Sequence, residues 1–277
     1  MDFDFTTDAG QAFLERNPKF GPAFERLMVA GNKCFGRQIK PKNQLENVCF
    51  GLGHTCREDY LGILLLALDG YGHGASQLFR SLYERAVTLA YIIKFPEKAE
   101  PFVRYGAIQE HRAMEAALKI VSVEDFDKAT GKDNTVALIR QRYREIKPEF
   151  QMTQCSTCKT TRTMPSFDVD FATMVQRVGP PLSNIFVMGY AIPNLHIHAT
   201  LASAMSDFDK EDQNLEKRVE RKRDEREFVL ALASATLIQV MRSHSGLYSL
   251  GLESELDVCD QDVVDLWVPQ SGRTSAP

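Results

Sequence analysis

The segment from Leu61 to Lys94 limits the fold more than any other. An apolar run, Leu61-Gly-Ile-Leu-Leu-Leu-Ala-Leu68, stops at the glycine-dense turn Asp69-Gly-Tyr-Gly-His-Gly74, and a second apolar pattern follows. A helix that is apolar on every side belongs in the middle of a protein, so the helix predicted over Asn43 to Asp69 is central. Advancing each residue from Ala75 to Lys94 by about 100° gathers Leu78, Phe79, Leu82, Ala86, Leu89, Ala90 and Ile93 on one arc. His73, Gln77, Arg80, Glu84 and Tyr91 fall on the opposite arc. No long run alternates polar and apolar residues, which argues against a sheet core. The chain is read as all-α, a single multi-helix bundle.

The remaining segments fit that class. Phe13 to Cys34 carries Phe13, Phe24, Leu27, Met28 and Ala30, with interruptions expected at Pro18 and Gly21-Pro22. Pro96 opens a helix over Glu97 to Ile120, as suits a proline near a first turn, with Val103, Ala107, His111, Met114 and Leu118 on its inward face. Gly131 breaks a more polar stretch, and Pro148 to Asp168 is the least regular internal segment. Ser183 to Phe208 is kinked before Pro193, because proline removes a helical donor and crowds the previous turn. Asp209 to Glu227 is charged and Phe228 to Met241 apolar, the two halves of one long helix. The domain is expected over residues 5–250, followed by an acidic, loosely held tail over 251–277.

Composition excludes several classes. Six cysteines, with no basic or apolar leader after Met1, point to reduced thiols in a cytoplasm. The longest apolar run is far below the ~20 residues of a membrane span, so no membrane partner is expected. Net charge is 33 − 37 = −4, so RNA could be held only by a local basic patch. Cys155-x-x-Cys158 lacks the second pair that a structural zinc site needs, and phosphate-binding glycine loops are absent. Neither a metal nor another cofactor is expected.

Three groups of polar residues are left as candidates for chemistry. Tyr190, Asn194 and His198 recur every four residues, so a phenol, an amide and an imidazole line one helix face. His196 points about 200° from His198 and cannot share an ion with it. The stripe of His73, Gln77, Arg80 and Glu84 reads either as a solvated face or as one covered by a neighbouring helix, with Arg80 held by Glu84 and aimed at an anion. His111 reads as a core histidine or as part of a site lining.

Two blocks carry a resemblance. Ala75-Ser-Gln-Leu-Phe-Arg-Ser-Leu-Tyr-Glu-Arg-Ala86 resembles the Arg-Ser-Leu-x-Glu helix of a large bacterial family of helical domains of unknown function. The stretch from Met164-Pro-Ser-Phe through Phe171-Ala-Thr-Met-Val to Tyr190, Asn194 and His198 resembles its later helices. The Asn194-x-x-x-His198 unit also resembles the HEPN class of helical domains, many of them RNA-cleaving toxins or defence effectors. That motif has an arginine before the polar residue, where this chain has Pro193, so a cation would have to come from another helix, for instance as Arg80. The resemblance implies a metal-independent RNA endonuclease with His198 and Asn194 as catalytic residues, Arg80 and Glu84 in support, and a possible homodimer. The alternative is a non-catalytic module that holds a small anion, nucleotide or protein partner with Arg80, lined by Tyr190, His111 and His73.

Overall fold

The computed structural model describes residues 7–36, 38–153, 161–163, 167–197 and 215–267. These residues are helical almost throughout, as the periodicity required. By internal contacts the chain divides into two units, Met1–Lys94 with Val175–Pro277 and Phe95–Met174, where a single domain over residues 5–250 was expected.

The first unit holds α1 (Asp8–Arg16), α2 (Phe20–Cys34), α3 (Gln44–Leu68), α4 (Gly72–Lys94), α9 (Ile192–Ile197), α10 (Leu215–Tyr248) and α11 (Glu253–Trp267). Asn43 starts α3 by accepting a hydrogen bond from the Glu46 amide, while Glu46 accepts from the Lys42 amide, a reciprocal cap. The apolar run places Ile63, Leu64, Ala67 and Leu68 in the core, but Leu65 is exposed. α3, α4 and α10 pack against one another. The rear half of α10 buries Leu230, Ala233, Leu237, Ile238 and Met241 there, and Ser234 meets the Tyr60 hydroxyl at 3.1 Å. The break between α1 and α2 falls at Asn17 to Lys19. Pro22 lies in the first turn of α2, where its missing N–H costs nothing, so Gly21-Pro22 does not interrupt the helix.

Two expectations are corrected here. Tyr91, assigned to the polar arc of α4, is 0% exposed, because α4 is also covered on that side: Arg177 donates to its hydroxyl at 3.2 Å. The presumed loose tail is helical over α11, which buries Leu256 and Cys259. Four of its six acidic residues meet cations on neighbouring helices: Arg26 makes two 2.7 Å hydrogen bonds to Asp262, Lys33 binds Glu255, and Arg242 spans Asp257 and Asp260. Trp267 packs on Phe13 and Phe20. Residues 268–277 lie outside the described ones.

The second unit contains α5 (Ala99–Ala117), α6 (Val123–Thr130), α7 (Thr135–Ile146) and an antiparallel pair, β1 (Gln151–Thr153) and β2 (Thr161–Thr163), in which Gln151 faces Thr163. Three-residue strands are far too short to form a core, so the class stays all-α. Gly131 ends α6 at φ 68°, a left-handed cap that a side chain would strain. The core is Tyr105, Ile108 and Phe150, with Tyr143 and Ile146 against it. Val103, expected on the inward face of α5, is 45% exposed, since the buried stripe runs through Tyr105 and Ile108 instead. α8 (Phe171–Val178) spans the division between the units.

Candidate functional site

The site is built on one face of α4. Arg80, Tyr83, Glu84 and Tyr91 recur at spacings of three, four and seven, and therefore share that face. The segment covering it runs from Leu182 to α9. It passes from a short 3₁₀ turn at Leu182–Ile185 into a π-helical turn at Val187–Ala191, closed by the Ile192 amide donating to the Val187 carbonyl. The wide turn has a local cause. Pro193, which is buried, has no N–H to give the carbonyl four residues back, and its ring crowds that carbonyl. Opening one turn relieves the crowding, and such π turns recur at functional sites.

Tyr83 fastens this segment to α4 at two points. Its hydroxyl donates to the Leu182 carbonyl at 2.8 Å, and its ring lies against Gly189, where a Cβ would stand 2.9 Å from Tyr83 Cγ. Burial pushes the Tyr83 phenol well above its ordinary pKa, so it remains a neutral donor. Lys94 ties the preceding helix, α8, to the end of α4, donating to the Arg177 carbonyl at 2.7 Å.

Arg80 is held where the two elements meet. Its Nη2 lies 2.8 Å from Glu84 Oε1, and its guanidinium carbon stands 5.1 Å from the centre of the Tyr190 ring. Tyr190 itself stacks on Phe186 with ring centres 5.5 Å apart. The Arg80 side chain is 19% exposed, and its Nε is buried with no hydrogen-bond partner among the described residues. An arginine followed four residues later by a glutamate is the weaker orientation for helix stability, worth ~0.2–0.5 kcal/mol at most. The pair therefore fixes the guanidinium's direction more than it stabilises the helix. A rigid guanidinium with unused donors suits a phosphate or carboxylate.

The other candidates divide. Asn194 is half-buried, one turn beyond Tyr190. His73 is exposed and pairs with Gln77 at 3.0 Å; it lies two helical turns before Arg80, ~10 Å along α4. His111 belongs to the second unit, stacked on Tyr143 at 3.6 Å with Glu115 3.6 Å from its Nε2. Burial lowers its pKa, Glu115 raises it, and Arg140 and Lys147 lower it further. His198, Cys155 and Cys158 lie outside the described residues. Among the described residues no group of three or more His, Cys, Asp or Glu side chains could hold a metal, and no helix is long and apolar enough to cross a membrane. Sequence reasoning missed Tyr83 and Gly189. The available signal was Tyr83's place three residues after Arg80, on the same face.

A family model described as a family of unknown function, DUF5677, matches residues 46–215. The chain belongs to the DUF5677 family. The DUF5677 match takes in Arg80, Glu84, Tyr190, Asn194 and His198, and leaves α1, α2 and α11 outside. No curated protein and no solved structure matches the chain.

Proposed function

We propose that this DUF5677 protein is a HEPN-like RNA-processing protein whose site is centred on Arg80, Asn194 and His198. The observation that carries this reading is the clamped guanidinium of Arg80 beside Tyr190. The Asn194-x-x-x-His198 unit has Pro193 in place of the motif arginine, and Arg80 supplies a cation from another helix, beside Tyr190. His198 acts as general base on a ribose 2′-hydroxyl. The 2′-oxygen then attacks phosphorus and the bond to the 5′-oxygen breaks, with water protonating the leaving oxygen. The products are a 2′,3′-cyclic phosphate and a 5′-hydroxyl. Arg80 stabilises the charge that gathers on the phosphorane oxygens, and Glu84 keeps the guanidinium in place.

Pro193 favours a second reading in which the same site binds an anion without cleaving it. Incubation of mixed RNA in the presence of EDTA separates the two. Cleavage by the wild-type protein, lost in His198→Ala, supports the nuclease. Equal cleavage by both proteins, or none by either, removes it.

A further inference from the structure

We infer that the second unit carries a separate binding site, in the groove between α5, α6 and α7, for a small aliphatic carboxylate. The groove is open to solvent and holds about 440 Å³. Part of its lining is apolar, Leu118, Val121 and Val123, and Ile120 next in the chain is 87% exposed. The rest is polar and includes Glu115, Lys119 and Arg140.

The charges of that lining are unequally engaged. Glu115 accepts from Arg140 Nε at 3.0 Å and has His111 3.6 Å away, so its negative charge is already matched. Arg140 spends Nε on that bond, and its two Nη groups make no hydrogen bond among the described residues. Lys119 makes no side-chain hydrogen bond or ion pair among the described residues. Ser122 lines the groove, but its hydroxyl is taken: it caps α6 by accepting from the Asp125 amide and donates to the Asp125 carboxylate. Among the lining residues, Lys119 and Arg140 outweigh Glu115 by one positive charge, beside aliphatic side chains. A carboxylate on Lys119 and Arg140, with its chain along Leu118, Val121 and Val123, satisfies both parts of the lining. A compact polar anion would leave the apolar part in water, and a neutral aliphatic would leave Lys119 unmatched.

The test is a titration of the full chain, with labelled valine methyls followed by NMR. Octanoate is the probe, octanamide and inorganic phosphate are the comparisons, and Lys119→Gln, at an exposed position, is the variant. The expected result is saturable movement of the Val121 and Val123 methyls with octanoate, with binding about tenfold weaker for octanamide. Lys119→Gln should bring octanoate down to the octanamide level, and phosphate should leave both methyls in place. The proposal fails if these methyls do not move, if octanamide or phosphate acts as octanoate does, or if Lys119→Gln binds octanoate unchanged.

Discussion

The ring of Tyr83 lies so close to Gly189 that a β-carbon there would stand 2.9 Å from Tyr83 Cγ. Glycine is thus the residue that lets the Leu182–Ile197 segment sit on α4, and with it Tyr190 over Arg80.

Gly189→Ala should destabilise the protein by about 1–3 kcal/mol, the usual cost of overpacking a filled interior. Urea unfolding measures it. In a Tyr83→Leu background the added methyl should cost less, because the two changes share one contact and so are not additive. Equal cost in both backgrounds would mean that the ring is not what the methyl meets.

Arg80→Gln should change stability by no more than about 1 kcal/mol, since a partly exposed ion pair contributes little. It should nevertheless remove RNA binding or cleavage. A large loss of stability with function intact would assign Arg80 a structural role instead.

Leu256→Ala should cost about 2–5 kcal/mol, the range for truncating a fully buried leucine. A loosely held tail would show no such loss, so the unfolding midpoint tests the docking of α11 directly.

His244 is buried, with Nε2 3.0 Å from the Cys49 carbonyl. Burial lowers its pKa, against the opposite pull of backbone hydrogen bonds to Cys49 and Cys34. The folded protein thus keeps the ring neutral at a pH where the unfolded chain takes up a proton, near the ordinary histidine value of about 6.5. Stability from this group is present above that pH and is lost as pH falls through it, by at most about 1.4 kcal/mol per pH unit. Asp59, whose pKa burial raises against the pull of Arg85, acts in the opposite sense but in the carboxylate range. Unfolding free energy measured from pH 7.5 to 5.5 should therefore fall more steeply for wild type than for His244→Gln. Equal slopes would contradict the assignment.

The helices that pack most were legible in the sequence, because α3, α4 and the rear of α10 carry long apolar stripes of helical period. Periodicity assigns a residue to a face; it does not say which faces a distant segment will cover. Tyr91 was misassigned for that reason, since its cover, Arg177, lies 86 residues away in the chain. The α11 error had another cause. Leu256 and Cys259 keep helical spacing, but six acidic residues in fifteen read as a solvated tail until Arg26, Lys33 and Arg242 are found opposite four of them. The neighbourhood of Arg80 and Glu84 was suggested by a four-residue spacing. The π turn that brings Tyr190 to them depends on how Pro193 is accommodated, which spacing alone does not reveal.

The most direct measurement is the affinity of the protein for an RNA whose 2′-oxygens are methylated, so that it binds but cannot be cleaved. Arg80→Gln should bind it about tenfold or more weakly than wild type, the loss expected for one charge-assisted contact to phosphate. The dependence of log affinity on log salt should become shallower by about one unit. Equal affinity and equal salt dependence in the two proteins would show that Arg80 does not hold the phosphate, and would remove the basis for the proposed site.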